Sequence, residues 1–344
     1  MLLLSIETTC DETGAAVLEG EPGGPTPLVR SSVVASQFDL HQRFGGVVPE
    51  IASRAHVRQI LPVIDEALKQ ARASLPEIGA IAVATRPGLV GSLVIGLTAA
   101  KALALALDLP MVAFDHLEGH LYAAQLAEPD RPIYPCVGLV ISGGHSHIYR
   151  CDGPINANLL GGTIDDAAGE AFDKVAGLLG LPHPGGPNLE KLARGGNPRA
   201  YRLPRSFLRE DRLEFSFSGL KTAVLYALKG QDGIGPENEA ARADLAASFQ
   251  EAVVDVIAAK ACQALEKTGL GRLVVGGGVA ANGRLRAALE ELGEERGCEV
   301  RIPPPSWCTD NAALGGVAFA KLAAGQVADL GIDVTPGLVR PGRG

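Results

Sequence analysis

At 344 residues the chain is too long for one compact core and reads as two lobes, each able to bury its own. Its net charge of −8 excludes a protein that coats nucleic acid indiscriminately, while leaving room for a local basic patch. The 43 glycines stand at the ends of apolar runs, which argues against disorder and for tight turns approached by ligands.

The opening MLLLSIETTC has no basic n-region and meets an acid at Glu7, so it is not read as a signal peptide. Residues 2–20 instead read as a β-hairpin with a small polar turn, and CVGLVISGGHSHIYRC (136–151) repeats that design. Between them fall a helix over 52–71, a strand over 80–85, a glycine-led helix over 92–107 and the strand PMVAF. The apolar region 89–107 carries Lys101 and much Ala and Gly, which suits a buried helix better than a membrane span. Later come a helix over 165–180, a Pro/Gly/Arg-rich insertion over 181–221, a long helix over 237–269, a strand over 272–278 and a helix from 282. The six cysteines include no CxxC pair, as expected of free thiols in a reducing cytoplasm; Cys10 and Cys308 are read as small buried residues.

Alternating strands and helices predict an α/β protein, and the repeated strand–turn–strand predicts a duplicated, actin-like, two-lobed fold with a central cleft. The expected division is 1–134, 135–309, and a C-terminal helix and tail, 310–344, returning toward the first lobe.

HLEGH (116–120) places two imidazoles one helical turn apart, able to face one ion. A zinc peptidase requires H-E-x-x-H, which this is not, and Glu118 is expected to close a capping box with Asp115. Asp310, expected to open a helix after a proline-stiffened loop, is the attractive third ligand; two imidazoles and a carboxylate suit Zn²⁺ or Fe²⁺. In SGGHSH, Ser142, Gly143 and Gly144 can close on an anion. The platform VVGGGVAAN offers bare backbone and Asn282 to a flat base, while Asp173 and Glu190 can accept hydrogen bonds from ribose hydroxyls. Residues 194–221 carry seven basic residues against three acids, interleaved with Tyr201, Phe207, Phe215 and Phe217, a pattern that suits contact with an RNA backbone and stacking on bases.

IETTCDETGAAV, HQRFGGVVPEIASRAH, RPGLVGSLVIGLTAAK, HLEGH, LVISGGHSH, IDDAAGEAFDKVAGLLGL, HPGGP, FSFSGLKTA, VVGGGVAAN and CTDNAALGG together resemble the tRNA N6-adenosine threonylcarbamoyltransferase family, from about residue 2 to 325. The resemblance implies transfer of threonylcarbamoyl from threonylcarbamoyl-AMP to N6 of adenosine 37 in tRNAs reading ANN codons. By position it implies His116, His120 and Asp310 as metal ligands, and Val140, Ile141, Ser142, Gly143, Gly144, Asp173, Gly186, Glu190 and Asn282 as substrate contacts. Val140 stands where the archaeal and eukaryotic branch has a tyrosine ligand, which places the chain in the bacterial-type branch. Asp11 and Glu12, in the first hairpin turn, are the candidates for the base that takes the N6 proton. The implied partners are tRNA, a smaller paralogous subunit of similar fold and a P-loop ATPase, without a membrane and in the cytoplasm; the helix over 52–71 is a candidate docking surface. Two rival readings are an ATP-dependent kinase of the same fold and a catalytically idle nucleotide-binding scaffold. The histidine pair speaks against the first, since Mg²⁺ prefers oxygen ligands, and the full ligand set speaks against the second.

Overall fold

The computed structural model describes residues 1–42, 44–229 and 238–337. Arg43 of the HQRFGG motif, the first residue of the helix predicted over 237–269, and residues 338–344 of the predicted tail lie outside the described residues.

Among the described residues, ten strands build two sheets: β1 (Leu2–Glu7), β2 (Glu12–Glu19), β3 (Leu28–Ser36), β4 (Ile78–Arg86) and β5 (Met111–Asp115) in the first, and β6 (Cys136–Ile141), β7 (Ser146–Gly153), β8 (Asn156–Gly162), β9 (Arg272–Gly276) and β10 (Glu299–Arg301) in the second. The first runs β3-β2-β1-β4-β5 and the second β10-β9-β6-β7-β8, which is the same order read from the other end. In each, a hairpin supplies the antiparallel pair, β1 with β2 in the register Leu4↔Val17 and β6 with β7 in the register Leu139↔Ile148. Two parallel strands complete the order on the other side, β4 and β5 in the first sheet and β9 and β10 in the second. The central strands are buried along almost their whole length, β6 as an unbroken apolar run and β1 with Ser5 and Glu7 within it, as expected of strands covered on both faces; β3, at an edge, alternates instead.

The chain divides into two compact units, one of Met1–Tyr134 with Gly153–Ala157 and Thr309 onward, the other of Pro135–Asp152 with Asn158–Cys308. In the first, Leu4, Ile6, Val17, Ile81 and Val83 meet Ile60, Ile64 and Leu68 of the helix Pro49–Ala71 and Leu97 of the helix Val90–Leu107. Val90–Leu107 is, among the described residues, the one helix long and apolar enough to cross a membrane; here its Leu93, Gly96, Leu97, Ala100 and Ala104 are buried within this unit. Gly96 explains part of the RPGLVGSLVIG motif, because a Cβ there would run into Thr8 Oγ1. That close approach lets Thr8 Oγ1 donate to Ser92 O at 2.9 Å and Leu89 N donate to Thr9 O at 2.8 Å, tying the β1–β2 turn to the helix. In the second unit, Leu139, Ile141 and Val275 pack on Phe172, Phe249 and Leu289. The long helix there is Glu239–Thr268, capped by the Asn238 side chain accepting from Ala241 N and ended by Gly269 at φ 68°.

Candidate metal centre and nucleotide turn

The helix His116–Ala127 begins directly at the end of β5, where Asp115 caps it by accepting from Leu117 N at 2.8 Å. Glu118 does not close the expected capping box; it forms a buried ion pair with Lys321 at 3.2 Å, 203 positions along the chain, a partner that local spacing does not reveal. One turn apart, His116 and His120 bring their Nε2 atoms to 3.1 Å, and Asp310 Oδ1 lies 3.0 Å from His120 Nε2 and 3.5 Å from His116 Nε2. Asp310 does not open a helix: Asn311 caps Ala312–Val317, accepting from Ala313 N at 3.1 Å, and Asp310 is directed at the histidines. Ligands at about 2.1 Å from a tetrahedral ion stand roughly 3.4 Å apart, so this donor set fits a small divalent ion.

Behind His116, Glu7 Oε2 lies 3.2 Å from Nδ1, and Thr9 Oγ1 lies 3.4 Å from the same atom. Glu7 also accepts from Thr9 N at 2.7 Å, which fixes the carboxylate. Burial alone would lower His116, but the charges of Asp310 and Glu7 outweigh it and raise its pKa to about 9. Burial and the neighbouring His116 hold His120 below the ordinary value, leaving it a neutral donor. His56, inside the helix Pro49–Ala71, braces the β1–β2 turn from the other side: its Nε2 donates to Cys10 O at 3.0 Å and its Nδ1 lies 2.8 Å from Thr13 Oγ1. Sequence reasoning missed both Glu7 and His56. The signals were an acid inside an apolar strand, and a histidine on the buried Ala52–His56–Ile60 stripe.

Asp11 and Glu12 belong to the same turn. Burial, then Asp310 and Asp11, push the Glu12 carboxyl up to about 9. The Cys10 thiol is likewise driven up by burial and by Asp11 and Asp310. The turn and Asp310 therefore gather carboxylates around the histidines, a concentration of negative charge that a cation relieves.

In the second unit, Ser142 N donates to His145 O at 2.7 Å and closes the β6–β7 turn. Gly143 and Gly144 face open space, while Val140 and Ile141 are buried strand residues whose backbone leads into the turn. The helix Ala168–Leu178 starts against this turn because Gly169 has no Cβ, which would lie 2.6 Å from Ser142 O; its N–H donates to that oxygen at 3.2 Å. Turn amides and a helix start in one place suit an anion. Asp173 Oδ1 accepts from Gly185 N at 2.8 Å and Gly186 N at 3.3 Å, holding the start of the helix Gly185–Ala193. Glu190 Oε1 accepts from Gly283 N at 3.1 Å, and Asn282 caps the helix Gly283–Arg296 through Leu285 N while donating to Gln250. These three side chains are thus joined in a line of helix starts, each already bonded to protein.

The aromatic residues of the basic segment do not form a stacking platform. Phe215 and Phe217 are buried in the core of the second unit, Tyr201 packs against that core, and Phe207 lies under the Arg212 guanidinium at 4.0 Å. The hydrophobic gain from burying the rings outweighs any use as bait for bases. Arg205 and Arg212 are paired with Asp255 and Glu214, whereas Arg194, Arg199, Arg202 and Arg209 are exposed.

Residues 28–316 match the family model described as TsaD, tRNA N6-adenosine threonylcarbamoyltransferase. A protein of that name from Rhodopirellula baltica is 51 % identical over 353 residues, covering 98 % of this chain and 97 % of its own. Another from Symbiobacterium thermophilum is 52 % identical over 338 residues, covering 98 % and 96 %. Among solved structures, component A of the (R)-2-hydroxyglutaryl-CoA dehydratase of Acidaminococcus fermentans superposes with a TM-score of 0.53 at 15 % identity, over 94 % of this chain and 99 % of its own. Full-length HypF gives 0.59 at 15 % identity, over 94 % and 55 %. These structures share the duplicated, actin-like α/β fold that the repeated hairpins predict.

Proposed function

The chain belongs to the tRNA N6-adenosine threonylcarbamoyltransferase family, and from that membership we propose that it moves threonylcarbamoyl from threonylcarbamoyl-AMP to N6 of adenosine 37 in tRNAs reading ANN codons. The observation that carries the chemistry is the convergence of His116, His120 and Asp310, with Glu7 behind His116. We take Zn²⁺ or Fe²⁺ as the resident ion, because two imidazoles and one carboxylate leave positions open and suit neither Mg²⁺ nor Ca²⁺.

When bound, the ion supplies Lewis-acid polarisation of the carbamoyl carbonyl. His116 and His120 would hold it through Nε2 and Asp310 through Oδ1, with Glu7 keeping the His116 ring turned so that Nε2 faces the site. The Gly143 and Gly144 amides, with Ser142, receive the phosphate of the adenylate, which leaves as AMP when N6 bonds to the carbamoyl carbon. The N6 proton passes to a carboxylate of the Asp11–Glu12 turn, where Glu12 can take it only once the negative charge that keeps it protonated is offset by a bound cation; N6 is a poor nucleophile while it keeps that proton. Asp173, Glu190 and Asn282 set the helix starts that shape the nucleotide end, and the Gly186 amide lies in the same turn.

The donor set favours the transferase over a kinase of the same fold, and an intact set of donors favours it over an idle scaffold. We further propose that a smaller paralogous subunit docks on the helices Pro49–Ala71 and Val90–Leu107, which leave Val57 and Leu61 59 % and 67 % exposed beside Val90 and Val94, and that a P-loop ATPase joins them in the cytoplasm. The test is transfer of radiolabelled threonylcarbamoyl from its adenylate to an ANN-reading tRNA with these partners present. Wild type is expected to label adenosine 37, and His116→Ala and Asp310→Ala to fall to background. Label that persists in both variants would make HLEGH structural and sink the metal-centred reading.

A further inference from the structure

Away from every residue assigned above, the first unit holds a cavity of about 410 Å³. Its wall includes Tyr122 on the histidine helix, Pro129, Pro132 and Tyr134 beyond that helix, Thr26, and Phe319 on the helix Ala318–Ala323. That volume is in the range of small-molecule sites. None of the described residues lining it is charged, so a charged ligand would be desolvated without a counter-charge.

Of the polar side chains in the wall, Gln125 and Thr26 are spent and Tyr122 is not. Gln125 Nε2 donates to the carbonyls of Glu128, Pro129 and Arg131, its Oε1 accepts from Ile133 N, and Thr26 Oγ1 donates to Pro129 O. Tyr122 is 7 % exposed, and its hydroxyl makes no hydrogen bond among the described residues. Burial pushes that phenol up to about 12, so it stays a neutral donor throughout the physiological range. The ring is buried, but the hydroxyl oxygen is not among the fully buried unpartnered atoms, so it keeps some exposure and can donate to a molecule in the cavity.

We infer that this cavity binds a neutral, flat aromatic molecule whose carbonyl or ring-nitrogen acceptor takes the Tyr122 hydroxyl proton, with its ring against the proline, Tyr134 and Phe319 faces. The apolar wall supplies the affinity and the Tyr122 donor fixes one end of the ligand. The site is distinct from the metal triad, yet it rests on the helix that carries both histidines and on the helix that follows Asp310, which the Glu118–Lys321 pair ties together.

The probe is 4-fluorobenzamide, followed by ¹⁹F NMR titration into the whole chain, the Tyr122→Phe variant and the Thr26→Trp variant. Tyr122→Phe removes the hydroxyl and keeps the ring; Thr26→Trp fills the cavity from its half-buried rim. Saturable binding to wild type is expected at a dissociation constant on the order of 1 mM, weakened roughly tenfold by Tyr122→Phe and abolished by Thr26→Trp. Should Thr26→Trp fail to fold, the Tyr122→Phe comparison decides alone. No saturable binding to wild type, or undiminished binding to Tyr122→Phe, overturns the proposal and leaves water as the hydroxyl's partner.

Discussion

Glu7 makes two adjacent imidazoles into a directed pair of donors. A carboxylate 3.2 Å from Nδ1 holds the proton on that nitrogen, so the proton given up to a binding ion is the one on Nε2, the atom facing His120 and Asp310. Glu7→Gln keeps the shape of the side chain and loses the charge, so metal affinity is expected to fall about 10- to 100-fold, measured by competition with a chelator of known affinity. An unchanged affinity would show that Asp310 and the helix alone orient the ring. The two histidines were legible in the sequence because one helical turn sets their spacing. Glu7 was not, since it reaches His116 across 109 positions and an acid closing a strand reads first as a turn residue.

Helix starts were legible as places but not as residues. CTDNAALGG offers two neighbouring caps, and only packing decides that Asn311 takes the role and Asp310 turns to the histidines. The segment LEFSF shows a missed signal: Leu213, Phe215 and Phe217 alternate as in a half-buried strand, and all three are buried. What fixes this segment to the helix Ser218–Lys229 is Asp165, which accepts from Ser216 Oγ, Phe217 N, Ser218 Oγ and Ser218 N at 2.6, 2.8, 2.8 and 3.3 Å. Burial opposes ionisation, but these hydrogen bonds outweigh it and hold the carboxyl below its ordinary range. Asp165→Ala is expected to cost about 1 kcal/mol at pH 7, the modest end for a cap because the carboxylate is solvent-exposed. A depressed carboxylate stabilises the fold above its unfolded pKa of about 3.9 and loses that contribution as pH falls through the lower folded value. Urea melts of wild type and variant should therefore converge in acid. A gap that is constant with pH would assign the loss to packing.

At the scale of the whole chain, duplication was legible because each half opens with the same strand–turn–strand and because strand burial follows from apolar runs that need no partner to be recognised. The three candidate ligands were legible although His120 and Asp310 stand 190 positions apart, because Asp310 follows a proline-stiffened loop; the distances that bring them together, and Glu7 behind them, come only from the fold. What helices do with their outer faces is a separate matter, since a stripe that packs on its own sheet and one that meets another protein are written in the same residues. On Pro49–Ala71 the buried stripe of Ile60, Ile64 and Leu68 is filled, and Val57 and Leu61 lie outside it, one turn apart and exposed. Leu61→Arg places a charge where apolar contact is proposed, and an exposed helical position tolerates it with little change in stability. The variant should keep its metal content and melting temperature, bind the paralogous subunit at least tenfold more weakly by titration calorimetry, and lose transfer in proportion. Full association with the variant would free this helix face from the assembly and move the search for the docking surface elsewhere on the first unit.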